Sequence, residues 1–144
     1  MEQEATELSN QVIGSIARIA VPSVDPSTPV TKIASIMTKQ NIGAVIVSTD
    51  LEVLGIVTER DIIERVALGK KDLYGVVAQD IMTSPVITIN YDRTIQDALK
   101  IMKGNNIRRL VVVKGKNILG LVTERRLLLA SFAGQAEQEL NSKS

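Results

Sequence analysis

The chain has 144 residues and a net charge of +1; 44% of its residues are hydrophobic, 2% are aromatic, and none is cysteine or histidine. This length and apolar content suit one compact domain or two very small ones, and the missing residue types exclude disulfides, thiol nucleophiles and histidine-based acid–base chemistry. A near-neutral charge and few aromatic rings disfavour nucleic acid as a partner, and no apolar run reaches the ~20 residues that span a bilayer.

Residues 1–15 predict a leading helix. Leu8 and Val12, followed by Ile16, recur at helical spacing along one side of it. The segment lacks the charged region and the apolar run of a signal peptide, so we expect a soluble, cytoplasmic protein.

The next part of the chain predicts a β-α-β-β-α repeat. Apolar runs of strand length are bounded by turn residues, and amphipathic stretches of helical period lie between and after them. In order, the elements are a strand over 20–24, an amphipathic helix, strands over 44–47 and 53–57, and a helix that begins at Thr58. Residues 69–80 are expected to link this repeat to a second one.

The second repeat follows with the same order of elements. Its first helix carries apolar residues on one face between Ile95 and Met102, and Thr94 is the expected N-cap. The other elements are strands over 86–89, 110–113 and 118–122 and a helix that begins at Thr123. Residues 131–144 are polar and are expected to form a frayed tail.

The two repeats are copies of one sequence pattern. A shift of 65 residues aligns 26–47 with 91–112 and 54–63 with 119–128 without a gap. One repeat alone would be marginally stable, so we expect an α+β fold in which the repeats pack with pseudo-two-fold symmetry and their sheets face each other. The expected parts are an N-terminal segment over 1–15, the first repeat over 16–70, the second over 71–130 and a tail over 131–144.

Several motifs of these repeats resemble the CBS-domain family, named after cystathionine β-synthase. They are VAQDIMTSPVITI at 77–89, IMKGNNIRRLVVV at 101–113, and the duplicated pair GIVTERD at 55–61 and GLVTERR at 120–126. The resemblance covers about residues 16–130 and implies a tandem CBS pair, or Bateman module. It further implies clefts between the repeats that bind AMP, ADP, ATP or S-adenosylmethionine, a homodimer, and regulation of a partner protein.

The resemblance implies one nucleotide site built from both repeats. Asp61 would hold the ribose and Thr58 would support ribose or phosphate, and the same two residues also fit a helix capping box. Arginines suit phosphate because the guanidinium fork binds two oxygens at once. The other implied residues are Arg108, Arg109 and Arg125 for phosphate, and Ile56, Pro85, Val86 and Ile87 for an apolar adenine slot.

The second cleft is expected to be degenerate. Arg126 stands where the first repeat has Asp61, and a guanidinium cannot accept hydrogen bonds from ribose hydroxyls. This cleft would contain Thr123 and Arg126, with Gly43 and Ala44 in place of the arginine pair. The sequence therefore predicts one nucleotide site per chain.

These observations favour a non-catalytic sensor that binds AMP, ADP or ATP, needs no metal, and modulates an effector protein. A ligand-free dimerisation module and an S-adenosylmethionine sensor stay open as alternatives. Catalysis is disfavoured because Glu59 and Glu124 fit helix first turns better than a matched acid and base. Nucleic-acid binding through the basic stretches 103–109 and 125–126 is disfavoured by the composition.

Overall fold

The computed structural model describes residues 11–13 and 20–132, which belong to two compact units. The first unit is Val21–Val86, and the second unit combines Ile87 onward with the described residues up to Ala20. Both are α+β units with one three-stranded mixed sheet each. No helix within the described ranges is long and apolar enough to cross a membrane.

The first unit has the strand order β1-β2-β3, with β1 parallel to β2 and β2 antiparallel to β3. Its helix α2 continues directly into a turn of π-helix, and a 3₁₀ turn precedes α3. The elements are β1 (Ser23–Val24), α1 (Val30–Gln40), β2 (Ala44–Ser48), β3 (Val53–Thr58), α2 (Glu59–Ile62), the π-helical turn (Ile63–Ala67), the 3₁₀ turn (Leu73–Gly75) and α3 (Ala78–Ile81).

The second unit repeats this arrangement with the order β4-β5-β6, again parallel and then antiparallel. The elements are β4 (Thr88–Asn90), α4 (Ile95–Asn105), β5 (Arg109–Lys114), β6 (Asn117–Thr123) and α5, which is helical from residue 124 to the end of the described range at 132. Here α5 is regular α-helix over all of its described residues, in contrast to the π-helical turn after α2.

The two sheets have the same register under the 65-residue shift. Ala44 pairs with Thr58 in the first unit, Arg109 pairs with Thr123 in the second, and the pairing shifts at the same point of both hairpins. The α+β class and the β-α-β-β-α order predicted from the repeat are therefore confirmed. The pseudo-two-fold packing of the repeats and the four predicted parts of the chain, 1–15, 16–70, 71–130 and 131–144, stay predictions.

The opening strands are shorter than the apolar runs predicted. The expected strands covered 20–24 and 86–89, whereas β1 and β4 each begin two or more residues later. In the first unit the reason is Pro22, which has no amide hydrogen for a ladder. Its carbonyl oxygen still accepts from the Ile46 amide at 3.0 Å, so the chain already runs beside β2 before the strand begins.

One face of each long helix and alternate residues of the strands form the two cores. This pattern follows from the 3.6-residue period of a helix and the two-residue period of a strand. The first core contains Val30, Ile33, Met37, Val45, Val47, Val57, Val66, Val76, Ala78 and Ile81. The second contains Ile13, Ile89, Ile95, Ala98, Met102, Leu110, Val112, Val122 and Leu127.

The first unit is completed by a segment that opens the second repeat. The Val30 amide donates to the Val76 carbonyl oxygen at 2.9 Å, and the Ala78 amide donates to the Thr28 carbonyl oxygen at 2.8 Å. Ala78 is fully buried in the first core. The stretch expected to link the repeats therefore contributes to the first unit as an integral part of its core.

The second unit is completed in the same way by residues 11–13. The Ile95 amide donates to the Gln11 carbonyl oxygen and the Ile13 amide donates to the Arg93 carbonyl oxygen, both at 2.9 Å. Under the 65-residue shift, 11–13 correspond to 76–78. Each unit thus combines the opening segment of one repeat with the remainder of the other.

Two parts of the predicted ends lie outside the described residues. Leu8 and Ile16 of the expected leading helix are among them, as is the tail beyond residue 132. Val12, the middle apolar position of that helix, forms an antiparallel bridge with Thr94.

The ends of the long helices follow from single residues. Thr94 is the N-cap of α4, as predicted, and its hydroxyl accepts from the Asp97 amide while the Asp97 carboxylate accepts from the Thr94 amide. Helices α1 and α4 both end at an asparagine with φ of 52°, Asn41 and Asn106. Asparagine tolerates this left-handed conformation, which explains why both repeats carry it.

Candidate functional site

The junction between β3 and α2 is a reciprocal capping box. The Thr58 hydroxyl accepts from the Asp61 amide at 3.2 Å, and Asp61 Oδ2 accepts from the Thr58 amide at 2.9 Å. The same oxygen also lies 3.0 Å from Thr58 Oγ1. The capping interpretation of this motif is therefore confirmed, and it fixes the carboxylate at the N-terminus of α2.

The second oxygen of Asp61 contacts residues outside the capping box. Oδ1 accepts from the Thr83 hydroxyl at 3.0 Å, and Arg65 Nε lies 3.7 Å away as an ion pair. Asp61 is 7% exposed, and Thr58 is also buried. A carboxylate has about four acceptor positions, so three hydrogen bonds leave one position on Oδ1 facing the arginine.

Arg65 joins this carboxylate to the end of α3. Its Nη1 donates to the carbonyl oxygens of Ile81 at 3.2 Å and Met82 at 3.0 Å. Cations near the last carbonyls of a helix are favourable because those oxygens have no partner within the helix. The guanidinium thus bonds to the chain just before Thr83.

The π-helical turn holds Arg65 within its wider ring. This ring is closed by the hydrogen bond from the Leu68 amide to the Ile63 carbonyl oxygen, five residues back, at 2.9 Å. π-Helical turns are rare in proteins, and many of those that do occur lie at functional sites.

The remaining predicted residues of the first unit lie on either side of Thr83. Ile56 is buried in β3, and its amide and carbonyl exchange hydrogen bonds with those of Thr83 at 3.1 and 2.8 Å. Pro85 is exposed and Val86 half-buried, directly after this bridge. The first unit therefore brings together Thr58, Asp61 and Ile56 around Thr83.

Sequence reasoning missed Thr83 and Arg65. Their equivalents under the 65-residue shift are Arg18 and Ala130, so the comparison of repeats gives no signal for either. Thr83 lies inside the motif at 77–89 that resembles the family, which is the one sequence feature that could have pointed to it.

The predicted residues of the second unit are spread over its sheet and helix. The Ile87 carbonyl oxygen accepts from the Val111 amide at 3.0 Å. Arg109 is exposed at the start of β5 in register with Thr123, and it lies on the face opposite Leu110, which enters the core. Arg125 is exposed near the start of α5.

Arg108 lies beside an acid. It lines a groove of about 360 Å³ between α4 and α5, and the Glu124 amide donates to its carbonyl oxygen at 3.0 Å. The other lining residues are Leu99, Met102, Lys103, Asn106, Ile107, Glu124 and Leu128. The Arg108 side chain forms no ion pair with Glu124 in the described part of the chain, so Arg108 stays a predicted phosphate ligand beside Arg109.

The second repeat retains half of the capping box. The Thr123 hydroxyl accepts from the Arg126 amide at 3.1 Å, and a guanidinium cannot return a bond as an acceptor. Thr123 is half-buried and Arg126 exposed, whereas Thr58 and Asp61 are both buried.

The arginines of the two units differ in their partners. Arg60 and Arg65 in the first unit, and Arg93 in the second, form ion pairs with carboxylates four residues away. The side chains of Arg109 and Arg125 have no hydrogen bond or ion pair within the described ranges. Residues 21–86 contain eight acidic and six basic residues, whereas 87–132 contain three acidic and nine basic ones, so basic charge is concentrated in the second unit.

A protein-family comparison identifies the class of the chain. The model described as CBS domain matches residues 13–68 and 77–133. The chain therefore belongs to the CBS-domain family and contains two CBS domains in tandem, as the sequence motifs indicated.

Relatives in archaea and bacteria agree with this assignment. A protein of Methanopyrus kandleri is 37% identical over 119 residues, which cover 81% of this chain and 60% of that protein. CBS domain-containing protein YhcV of Bacillus subtilis is 30% identical over 102 residues, which cover 71% of this chain and 72% of that protein. The chain spans 40% and 28% of two Methanocaldococcus jannaschii relatives, so it corresponds to a part of their length.

Solved structures share the fold. A conserved protein of Pyrococcus horikoshii superposes with a TM-score of 0.71 at 27% identity, over 85% of this chain and 93% of that one. A hexameric CBS-CP12 protein from bloom-forming cyanobacteria superposes with a TM-score of 0.72 at 25% identity, over 82% of this chain and 66% of that one.

Proposed function

We propose that this CBS pair is a non-catalytic regulatory module that binds one adenine nucleotide per chain and transmits the bound state to a partner protein. CBS domains commonly bind adenine nucleotides. The observation that carries the proposal is the Asp61 carboxylate, which is fixed at the N-terminus of α2 and keeps acceptor capacity.

The proposed ribose ligand is Asp61, with Thr58 beside it. A ribose presents two neighbouring hydroxyl donors, and a carboxylate is the side chain that accepts two such donors best. The capping box holds this carboxylate in one orientation before any ligand arrives. Because the group is already ordered, little conformational entropy is lost on binding.

The proposed phosphate ligands are Arg108, Arg109 and Arg125. None of these three side chains forms an ion pair in the described part of the chain, so their donors are available to an anion. The basic excess of residues 87–132 favours AMP, ADP or ATP over S-adenosylmethionine, which carries a sulfonium cation. The proposed adenine slot contains Ile56, Pro85, Val86 and Ile87. We propose a single site per chain because Arg126 replaces the carboxylate in the second repeat and cannot accept hydrogen bonds from ribose.

Direct titration of the wild-type chain and two matched variants tests this function. Asp61→Ala and Asp97→Ala each remove the acid of a capping box, one in each unit, so they have the same defect in helix capping. We expect AMP affinity to fall about tenfold or more in Asp61→Ala alone, since a hydrogen bond to a charged group is worth ~1.5–3 kcal/mol. Equal AMP affinity in all three proteins would contradict the proposed ribose ligand.

The same titration separates classes of ligand. AMP, ADP and ATP are compared with adenosine and S-adenosylmethionine at low and high salt. An affinity that falls as salt is added supports contacts between arginine and phosphate, because salt screens the attraction between exposed charges. The screening length is ~10 Å at 0.1 M salt and becomes shorter at higher salt. A flat response to salt would instead indicate an adenosine-type ligand without phosphate contacts.

A ligand-free interaction module is the second candidate. The observation that favours it is the low exposure of Asp61, whose three hydrogen bonds are all explained by the fold. No thermal shift with any of the five ligands would support this alternative. At ~100 times the dissociation constant, a ligand adds ~2.7 kcal/mol of stability, which is readily measured.

We also propose that the chain forms a homodimer. Helix α5 exposes Leu128 and Leu129, and Ile63 is exposed at the position equivalent to Leu128. Large exposed apolar patches mark protein interfaces, and these side chains are the exposed apolar residues that support the proposal. Light scattering of the wild-type chain and of Leu129→Glu would show a dimer mass that the charged variant lowers.

A further inference from the structure

We propose that Asp61, Arg65 and Thr83 form a clamp that fastens residues 81–83 to β3 and α2, and that ligand hydroxyls on Asp61 open it. The fastened segment opens the second repeat and leads out of the first unit at Val86. The opening of the clamp rests on the proposed function, whereas the clamp itself is a property of the ligand-free chain.

The clamp has two side-chain arms that converge on the same short segment. Thr83 donates its hydroxyl to Asp61 Oδ1, and Arg65 donates to the carbonyl oxygens of the two residues before Thr83. Arg65 Nε also lies 3.7 Å from Asp61 Oδ1. One buried carboxylate therefore contacts both arms, whereas Arg65 and Thr83 themselves are exposed.

The backbone beneath these arms is held by a single bridge. Thr83 and Ile56 exchange both of their hydrogen bonds, and no longer ladder is formed there. An isolated bridge opens more readily than a strand within a sheet. Ile81 anchors the start of the segment in the first core, so the contribution of the side-chain arms falls mainly on Thr83.

The described residues contain one such clamp, in the first unit. The positions equivalent to Asp61 and Arg65 are Arg126 and Ala130. The second repeat therefore has neither the carboxylate nor the guanidinium of the clamp at these positions. Helix α5 also lacks the π-helical turn over its described residues. The wide turn around Arg65 therefore occurs together with the clamp.

A ligand with two neighbouring hydroxyls competes with Thr83. Three of the four acceptor positions of Asp61 are occupied, and a diol needs two. The two bonds from Thr58 belong to the capping box, so the bond from Thr83 is the one that the ligand replaces. Its loss leaves residues 81–83 held by Arg65, by the backbone bridge and by the buried side chain of Ile81.

Hydrogen exchange in the ligand-free full-length chain tests the clamp directly. Thr83→Val removes the hydroxyl and keeps the shape, whereas Thr83→Ser keeps the hydroxyl. We expect the amides of Thr83 and Ile56 to exchange about tenfold faster or more in the valine variant and at the wild-type rate in the serine variant. Unchanged exchange in the valine variant would overturn the clamp.

A second pair of variants tests the arm of the clamp that Arg65 forms. Arg65→Met should also speed exchange at these amides. Arg93→Met is the control, because it removes an equally spaced ion pair with Asp97 that touches no carbonyl of residues 81–83. Equal exchange at Thr83 in the two methionine variants would show that Arg65 is not an arm of the clamp.

Titration with AMP tests the opening step. If Thr83 competes with the ligand, Thr83→Val binds AMP about tenfold more tightly than wild type, and AMP speeds exchange at Thr83 in the wild-type chain. Weaker AMP binding by Thr83→Val would overturn the competition and make Thr83 a supporting ligand residue. Faster exchange in the valine variant without AMP binding by any variant would refute the nucleotide proposal and still support the clamp.

Discussion

Asp61 and Arg126 occupy the same position of the repeat and have opposite effects on the threonine that precedes them. Asp61 returns a hydrogen bond to the Thr58 amide, so both donors at the start of α2 are satisfied. Arg126 cannot accept, and the start of α5 keeps one side-chain bond from Thr123. One residue thus decides whether the junction presents a fixed carboxylate or an exposed cation.

Arg126→Asp should restore the capping box at the start of α5. We expect the unfolding free energy to rise by about 0.5–1 kcal/mol, because an acid in the first turn also favours the helix dipole. Urea unfolding measures this gain, and the double variant with Thr123→Ala should lose it. Nucleotide stoichiometry that rises from one to two per chain would show that this position alone made the second cleft degenerate.

At the scale of elements, β3 is paired on both sides in different ways. On one side it forms the regular hairpin with β2, and on the other it meets the Thr83 bridge. Gly55 permits this close approach, since a Cβ there would lie 2.8 Å from both the Thr83 carbonyl oxygen and Met82 Sδ. The glycine of the GIVTERD motif is therefore required by packing of the neighbouring segment.

Gly55→Ala should destabilise the chain by about 1–3 kcal/mol, because backbone must shift to admit the methyl group. Gly104→Ala is a matched control in α4, where a Cβ would meet nothing within 4 Å. That control should stabilise the protein by up to ~1 kcal/mol through helix propensity. Thermal unfolding of both variants measures the contrast, and equal melting temperatures would refute the close-contact argument.

The cap of α4 should make stability depend on pH. The hydrogen bond from Arg93 lowers the pKa of Asp97, and the Thr94 amide lowers it further. A carboxyl group with a lowered pKa in the folded state stabilises the fold above its unfolded pKa, near 3.9, and loses this contribution as pH falls through the folded pKa. Asp97→Asn should therefore melt below wild type at pH 7, and the gap should narrow below about pH 4. A gap that stays constant down to pH 2.5 would contradict the link to this carboxylate.

The repeat and the capping motif could be predicted from sequence because both are local or periodic. Strand and helix order follow from residue spacing, and Thr94 and Thr58 act on amides three residues away. The bond between Thr83 and Asp61 spans 22 residues and has no counterpart in the other repeat, so no period reveals it. The π-helical turn likewise has no local signal, because a wide turn and an α-turn use the same residue types.

At the scale of the whole molecule, the compact units do not coincide with the stretches that repeat in sequence. Residues 76–81 supply three buried side chains to the first core: Val76, Ala78 and Ile81. Residues 11–13 supply Ile13 to the second. Spacing alone could not assign these segments, because an apolar face is equally suited to either core.

A fragment of residues 21–86 should unfold cooperatively in urea, whereas 21–70 should not. A unit of this size has marginal stability. Loss of the three buried side chains lowers the free energy of unfolding by roughly 1–3 kcal/mol for each side chain. A 21–86 fragment with residues 71–86 scrambled is the control for length. Matching transitions for 21–70 and 21–86 would show that the segment contributes nothing to the core.

The exchange of opening segments bears on how such a gene can be divided. A gene for a single repeat would encode a protein with one opening segment and one core that lacks the segment completing it. That core would be filled by the opening segment of a second molecule. Duplication and fusion turn this partnership between molecules into one within a single polypeptide. The smallest heritable piece that closes both cores is therefore the pair, and a recombination event that cuts between the repeats separates each core from the segment that completes it.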